Sequence, residues 1–294
     1  MKYLAILLFI LATHSVSAEP LRIMFIGEST SLGYYDGVEH EESSIPLMLK
    51  QNLEAIGIPV AVDNKAVIST TVGWHLANSS FSASDIVIIQ LGINDAVNTE
   101  VCQFINDCTQ LIDTVKQVGK TIYIAMPNKI FGSENIQLEY YAYLMEKIGI
   151  EKSMIVVGSS AQEVPLSDVY HPTPAGYEML GENLKNRLVK DISVTHVTKL
   201  YIALFNRVPE KEGLDYWSDK MSLYGRDLIA QQMVSFTGVE SDSDFIDLIY
   251  FNTMNRVPDV EGKNYWMNSI LNYGRGATLN TIIGILEEKS KCKN

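Results

Sequence analysis

Residues 85–91 read DIVIIQL, a stretch that is rich in β-branched residues and apolar on both faces. Successive side chains of a strand point to opposite faces, so a strand with two apolar faces is buried on both sides. Similar apolar runs lie at residues 21–26 and 121–126. We expect these runs to form one parallel sheet that is covered by helices on both faces.

Helical patterns fill the intervals between the apolar runs. They lie at residues 46–56, 104–118, 139–148 and 174–189, with further short strands at 60–62 and 153–157. Strands that alternate with helices indicate an α/β domain, which we assign to residues 19–193.

The first 18 residues have the features of a secretory signal peptide. Lys2 provides a positive start, an apolar run covers residues 3–12, and Val16-Ser17-Ala18 supplies small residues for cleavage after Ala18. The run is short for a membrane span of about 20 residues, which disfavours an uncleaved anchor helix. No later segment is long enough to span a bilayer. We therefore expect a secreted or periplasmic bacterial protein.

Composition and charge exclude several classes of protein. The 294 residues are 47% hydrophobic and 20% charged, which is typical of a folded globular protein rather than a disordered one. The net charge of −12 disfavours nucleic acid as a partner, because binding phosphates requires clustered cations.

Cys102 and Cys108 lie too far apart for a disulfide within one regular helix, so a bond requires Cys102 in a loop. Cys292, in a charged tail, is expected to be free.

Residues 194–294 lack strand signals and contain an internal repeat. NRVP at residues 206–209 recurs at 255–258, an offset of 49 residues, and the paired motifs YW and YGR recur at the same offset. Each unit is interpreted as helix, turn, helix, because Pro209 and Pro258 interrupt a continuing helix. The acidic turns lack the spacing of a calcium loop. We expect the aromatic residues to join helices rather than bind a ligand.

Three segments carry residue types suited to nucleophilic catalysis. His171 precedes Pro172, which favours a loop, and Asp168 lies three residues upstream, where it can orient the imidazole. Ser29 directly follows the first strand, at the edge of the sheet where parallel sheets bind ligands. Asn94 also follows a strand, and its amide can donate to an oxyanion. Taken singly, each residue also fits a structural role in a loop or cap.

These segments resemble blocks one, three and five of the SGNH (GDSL-type) hydrolases. The matching motifs are Gly27-Glu28-Ser29 with Gly33, Gly92-x-Asn94-Asp95, and Asp168-x-x-His171-Pro172. The resemblance implies a flavodoxin-like three-layer α/β/α fold and a cofactor-free, metal-free serine esterase. It implies that Ser29 is the nucleophile, His171 the general base and Asp168 its partner. The oxyanion donors would be Asn94 and the backbone N–H groups of Ser29 and Ser69.

Two departures from the family pattern bear on this interpretation. Glu28 replaces the usual Asp of block one, and Ser69 replaces the usual Gly of block two. Both departures motivate an alternative, a non-catalytic surface binding module on a decayed SGNH fold. An α/β-hydrolase is disfavoured, because its G-x-S-x-G elbow would end at Ser31 here.

The expected substrate is a short acyl ester, acetyl first, on a carbohydrate such as an acylated glycan. Tyr34, Tyr35 and Trp74 are candidates for the floor of a sugar site, and ordinary packing is the alternative role for them. A lysophospholipid or other lipid ester is the alternative substrate. The repeat resembles an uncharacterised helical domain of bacterial secreted and surface proteins, so we expect it to contact surface or protein partners.

Overall fold

A computed structural model describes residues 19–158 and 161–291 of the chain. The predicted signal peptide and Cys292 lie outside the described residues. The strands are β1 (Leu21–Gly27), β2 (Tyr34–Tyr35), β3 (Val38–Glu39), β4 (Val60–Asn64), β5 (Ser84–Gln90), β6 (Gly119–Ala125) and β7 (Ile155–Val157). The helices are α1 (Ile45–Ala55), α2 (Val72–Asn78), α3 (Ile93–Asn98), α4 (Val101–Val115), α5 (Glu134–Glu151), α6 (Pro174–Phe205), α7 (Lys211–Tyr224), α8 (Arg226–Val234), α9 (Asp242–Met254) and α10 (Val260–Lys291).

Five strands form a parallel sheet in the order β4-β1-β5-β6-β7, while β2 and β3 form a small antiparallel hairpin beside it. Counting only the strands of the large sheet, the order is 2-1-3-4-5, which is the flavodoxin-like arrangement. In this order β4 is added on one side of β1, and the following strands are added on the other side, beginning with β5. The carboxyl ends of β1 and β5 therefore border the crevice in which such sheets bind ligands.

Alternate residues of the central strands supply two separate cores. Met24 and Ile26 of β1 pack with α4 and α5, whereas Ile23 and Phe25 pack with α1 and α6. All four side chains are at most 1% exposed. The predicted three-layer α/β/α fold is thus confirmed, with the sheet between two helical layers.

Helix α6 extends 16 residues beyond the end that the sequence pattern predicted at Val189. It runs from Pro174 to Phe205, because neither Gly nor Pro occurs after Gly181 to interrupt it. The predicted domain boundary at residue 193 falls inside this helix, and the division into domains stays a prediction. Ile192 packs against both the α1/α6 core and the core of the helical repeat.

Each repeat unit contains three helices rather than the expected two. Asn206 and Asn255 end the first helix of their units in the left-handed conformation, with φ of 51° and 50°. Gly225, with φ of 81°, separates α7 from α8, and Gly274, with φ of 82°, divides α10 into the second and third helices of its unit. The pattern does not reveal the third helix, because a single Gly can also lie inside one helix.

The aromatic residues of the repeat divide into buried and exposed ones. Trp266 is 6% exposed, and its indole N–H donates to the hydroxyl of Tyr250 at 2.7 Å. By contrast, Tyr216 and Tyr265, which precede the two tryptophans, are 54% and 47% exposed. The expected role in joining helices is therefore found for Trp266 and Tyr250, and not for the exposed tyrosines.

Cys102 and Cys108 both lie in α4 and are free thiols, Cys102 exposed and Cys108 buried. No helix in the described part of the chain is long and apolar enough to cross a membrane.

Candidate active site

The first strand ends in a tight turn that carries Ser29. Ser29 opens a short 3-10 turn in which Ser31 N–H donates to Glu28 O at 2.9 Å. A Cβ on Gly27 would lie 2.2 Å from Ser31 Oγ, so only glycine allows the chain to fold back this closely. The turn therefore places Ser29 at the carboxyl end of β1.

Ser29 and Ser31 have different hydrogen-bond partners. Ser31 is fully buried, and its hydroxyl donates to Gln90 Oε1 at 3.1 Å. The Oγ of Ser29 instead lies 3.1 Å from Nε2 of His171. Ser31 is thereby held in the interior, and Ser29 is the serine that faces the imidazole.

His171 joins Ser29 to Asp168. Its Nδ1 lies 2.8 Å from Asp168 Oδ2, while Asp168 Oδ1 accepts from the backbone N–H groups of Tyr170 and His171 at 2.7 Å. Partial burial raises the pKa of Asp168, but these hydrogen bonds outweigh it and lower the pKa below its ordinary value. Asp168 is therefore held ionised beside the ring, which places the ring hydrogen on Nδ1 and leaves Nε2 able to accept a proton.

The loop with Asp168 and His171 is fixed at both ends. Thr173 caps α6 by accepting from Gly176 N–H at 3.2 Å, with Pro174 in the first turn. Asn128, fully buried after β6, donates to the carbonyl of Tyr170 at 2.9 Å. The sequence analysis missed Asn128, whose only signal was its position just after a buried strand.

Asn94 lies at the start of α3, which follows β5, and β5 is the sheet neighbour of the strand that precedes Ser29. Gly92 before it has φ of 129°, a conformation that favours glycine, and this sharp turn brings the first residues of α3 back over the strand end. The side-chain amide of Asn94 donates to Glu28 Oε2. One of its two hydrogens is therefore used by Glu28, and the second is left for another acceptor.

Glu28 is a buried carboxyl that receives three donors. Besides the Asn94 amide, it accepts from the backbone N–H groups of Ile93 at 3.0 Å and Asn94 at 3.1 Å. Burial raises the pKa of Glu28 to about 8, although these hydrogen bonds oppose the rise. Glu28, which stands where the family usually has Asp, therefore keeps a carboxyl that reaches the start of α3.

Ser69 adopts the backbone conformation that explains the usual glycine at this position. Its φ is 58°, in the left-handed region, where a Cβ is unfavourable. The residue is exposed, in the loop between β4 and α2. Serine keeps the backbone N–H that the resemblance assigns to the oxyanion site, at some cost in strain.

His75 connects the loop of Ser69 to the turn that carries Ser29. The sequence analysis missed this residue. It is fully buried, and its Nε2 lies 2.9 Å from Gly27 O and 3.0 Å from Thr70 Oγ1. Gly27 O can only accept, so Nε2 carries the hydrogen, and Ser79 Oγ lies 2.8 Å from Nδ1. Burial lowers the pKa of His75, which keeps the ring neutral.

Asp95 connects the start of α3 to the start of α2. It is fully buried, and both of its carboxyl oxygens accept from Val72 N–H, at 3.2 and 3.0 Å. Burial raises the pKa of Asp95 to about 6. Because Val72 begins α2, Asp95 fixes this helix to α3.

Of the three aromatic candidates for a sugar site, one adjoins the triad. The Tyr34 ring lies 4.8 Å from the His171 ring. Tyr35 stacks on His40, and Trp74 packs edge-on against His75 with 38% of its surface exposed. Within the described residues, no group of three or more His, Cys, Asp or Glu side chains is arranged to hold a metal ion.

Comparison with solved structures places this architecture in a known fold. A catalytic mutant of an acetylxylan esterase from Geobacillus stearothermophilus matches with a TM-score of 0.50 and 17% identity, over 58% of this chain and 96% of that one. The α/β domain has the SGNH hydrolase fold. A lipase/acylhydrolase from Enterococcus faecalis is similar with a TM-score of 0.49 and 20% identity, over 57% of this chain and 95% of that one. A structure described as a lipolytic protein of the G-D-S-L family from Desulfitobacterium hafniense is similar with a TM-score of 0.45 and 21% identity, over 56% of this chain and 98% of that one.

The C-terminal part of the chain matches a different family. Residues 231–289 match a family described as a domain of unknown function, DUF4214. The match covers the end of α8, all of α9 and most of α10, so it lies mainly on the second repeat unit. No curated protein matches the chain. The SGNH domain and the repeat therefore have separate relatives.

Proposed function

We propose that this chain is a serine ester hydrolase in which Ser29, His171 and Asp168 act as a catalytic triad. The observation that carries the proposal is the continuous line of contacts from Ser29 Oγ to His171 Nε2 at 3.1 Å and from His171 Nδ1 to Asp168 at 2.8 Å. A hydroxyl is a weak nucleophile at neutral pH unless a base takes its proton, and this geometry supplies the base.

In the first half-reaction, Ser29 Oγ attacks the ester carbonyl carbon while its proton moves to His171 Nε2. The carbonyl oxygen becomes an oxyanion, for which Asn94 and the N–H groups of Ser29 and Ser69 are the donors. When the tetrahedral intermediate collapses, the ester C–O bond breaks, and His171 gives its proton to the departing alcohol.

In the second half-reaction, water attacks the acyl-enzyme and His171 takes a proton from it. Collapse of the second intermediate breaks the bond to Ser29 Oγ, which recovers the proton from His171 and releases the carboxylic acid. Asp168 stays ionised throughout and stabilises the imidazolium that forms twice in each cycle.

The proposed substrates are short-chain acyl esters, acetyl first, on a carbohydrate. The Tyr34 ring beside His171 offers an apolar face on which a sugar ring can rest. The net charge of −12 favours a neutral substrate over an anionic one. The similar solved structure that is an acetylxylan esterase agrees with this substrate class.

Lipid esters are the second candidate, favoured by two exposed apolar side chains near the triad. Phe131 and Val169 are 61% and 44% exposed, and Phe131 N–H donates to Val169 O at 2.9 Å, so they lie side by side. Val169 follows Asp168 directly. An acyl chain longer than acetyl would find apolar contact there.

The proposed location is outside the cytoplasm, with the repeat domain contacting a surface or a protein partner. The proposal rests on the sequence of residues 1–18. Its test is the amino-terminal sequence of the protein from fractionated cells. We expect Glu19 as the first residue in the periplasm or medium, and an intact Met1 in the membrane fraction would contradict cleavage.

The activity is tested with p-nitrophenyl acetate, butyrate and octanoate, followed by acetylated xylo-oligosaccharides and a lysophospholipid. We expect kcat/KM to be highest for acetyl esters, and hydrolysis to be lost in Ser29→Ala. A preference for octanoate and the lysophospholipid would select the lipid alternative. Absence of turnover on every ester, in a folded protein, would favour the non-catalytic binding module.

A further inference from the structure

Glu28, immediately before the proposed nucleophile, accepts three hydrogen bonds from residues 93 and 94 at the start of α3, a segment named here the oxyanion loop. Its carboxyl is fully buried and accepts from Ile93 N–H, Asn94 N–H and the Asn94 side-chain amide. All three donors belong to the segment that begins α3. Glu28 thus connects the turn of Ser29 to the residue proposed to bind the oxyanion.

The bond to Glu28 removes a freedom that Asn94 would otherwise have. The last torsion of an Asn side chain has a broad energy profile, so an unrestrained amide rotates easily. With one amide hydrogen held by Glu28, the plane of the amide is fixed and the second hydrogen has one direction. Preorganised donors stabilise a developing oxyanion far better than donors that must reorient.

We propose that Glu28 is a positioning residue of the oxyanion site, which orients the Asn94 amide and the start of α3 beside Ser29. The inference rests on the proposed esterase function, in which Asn94 is a donor. Glu28 itself touches no reacting atom and acts through Asn94.

The burial of this carboxyl supports a functional role over a purely structural one. No Lys, Arg or His among the described residues forms an ion pair with Glu28, so this carboxyl is buried without a cation that would stabilise its ionised form. A buried carboxyl without a cation is unfavourable for stability, and such groups concentrate at functional sites. The raised pKa of about 8 reflects the same cost.

Kinetics of Glu28→Gln, Asn94→Ala and the double variant test the proposal. Gln has nearly the same shape, but one of its two terminal groups is an NH₂, so it cannot accept both from Ile93 N–H and from the two Asn94 donors. We expect Glu28→Gln to lower kcat about tenfold or more with KM nearly unchanged, since loss of a whole oxyanion donor costs about 10²–10³. In the Asn94→Ala background the same substitution should have little further effect, because Glu28 acts through Asn94.

Asp107→Asn is the matched control. Asp107 is also a buried carboxyl, in α4, and it accepts from Gln103 at 2.7 Å rather than from the oxyanion loop. We expect its kcat per folded molecule to equal that of the wild type. The proposal would be overturned if Glu28→Gln lowered kcat by the same factor in the wild-type and in the Asn94→Ala background. It would also be overturned if Glu28→Gln alone left kcat unchanged.

Two additions keep the test decisive. If Glu28→Gln does not fold, Glu28→Leu replaces it, because Leu has a similar volume and no acceptor for the Asn94 amide; the same non-additivity with Asn94→Ala is expected. Hydrogen exchange of the Asn94 side-chain amide, followed by NMR, requires no turnover. Faster exchange in Glu28→Gln supports the positioning role even in a protein without esterase activity, and unchanged exchange contradicts it.

Discussion

The Nε2 atom of His171 lies 3.1 Å from the Oγ atom of Ser29, although 142 residues separate the two in the chain. The contact forms because Ser29 follows β1 and His171 precedes α6, which packs beneath the same strand. Loss of this nucleophile removes the covalent route, so Ser29→Ala should lower kcat by several orders of magnitude.

Ser31→Ala is the control for that variant. Its hydroxyl donates to Gln90 in the interior, so the substitution should cost about 1 kcal/mol of stability and leave kcat near the wild-type value. Steady-state kinetics normalised to folded protein measures both. A large loss of kcat in Ser31→Ala with activity kept in Ser29→Ala would exchange their roles.

Asp168→Asn should lower kcat by about 10³–10⁴, because an amide favours the wrong tautomer of His171. The carboxyl is 46% exposed, so the fold should tolerate the change. The measurement is the rate of p-nitrophenyl acetate hydrolysis beside a circular dichroism spectrum. A loss of less than about threefold would remove Asp168 from the triad.

Asn94→Ala should lower kcat by about 10²–10³ with little change in KM, because the donor is needed most when the oxyanion forms. Ser69→Gly should keep or raise activity, because it preserves the N–H and relieves a φ of 58°. A stability gain of about 0.5–1 kcal/mol is expected from the relief of left-handed strain. An unchanged kcat in Asn94→Ala, or inactivity of Ser69→Gly, contradicts this arrangement of donors.

Stability should depend on pH through Glu28. In the folded state it keeps its proton up to about pH 8, whereas the unfolded chain loses it near the ordinary value of 4.5. The folded state therefore binds more protons in this window, and the free energy of unfolding falls as the pH rises through it. Urea unfolding at about pH 5 and about pH 8 should show a smaller fall in Glu28→Gln. Glu39→Gln, at an exposed position, is the control and should show the wild-type fall. If the free energy of unfolding of Glu28→Gln falls as much as that of Glu39→Gln, Glu28 is not the source of the pH dependence.

The neighbours Tyr265 and Trp266 should differ sharply in their effect on stability. Trp266→Ala removes a buried ring and its bond to Tyr250, and should cost about 3–5 kcal/mol. Tyr265→Ala changes an exposed ring and should cost less than about 1 kcal/mol. Thermal and urea unfolding compare them, and equal losses would show that the exposed ring also packs.

The apolar strands were predictable because burial on both faces leaves a strong signal in the sequence, whereas the flavodoxin-like arrangement followed from the resemblance to the SGNH hydrolases. Ser29, Asn94 and His171 were predictable for a related reason, since each lies at a strand end or just before a helix. The hydrogen bond from Asn94 to Glu28 was not, because it joins side chains whose approach depends on the φ of 129° at Gly92. Sequence patterns do not record such long-range contacts.

Short and exceptional elements also escaped the sequence analysis. Helix α2, with seven residues, is too short to show a period of 3.6, so His75 gave no sign of its contact to Gly27. Helix α6 was predicted too short because the change in pattern near residue 190 was taken as its end. The left-handed conformation of Ser69, with φ of 58°, was not predictable either, because its residue type gives no sign of a positive φ.

If Ser29 is an activated nucleophile, it should react covalently with a fluorophosphonate. The wild-type protein, treated with a fluorophosphonate and analysed by intact mass and peptide mapping, should carry one adduct on Ser29. His171→Ala should label far more slowly, because the base is absent, while Ser31→Ala should label at the wild-type rate. An unlabelled wild-type protein, or an adduct on Ser31, would contradict the account.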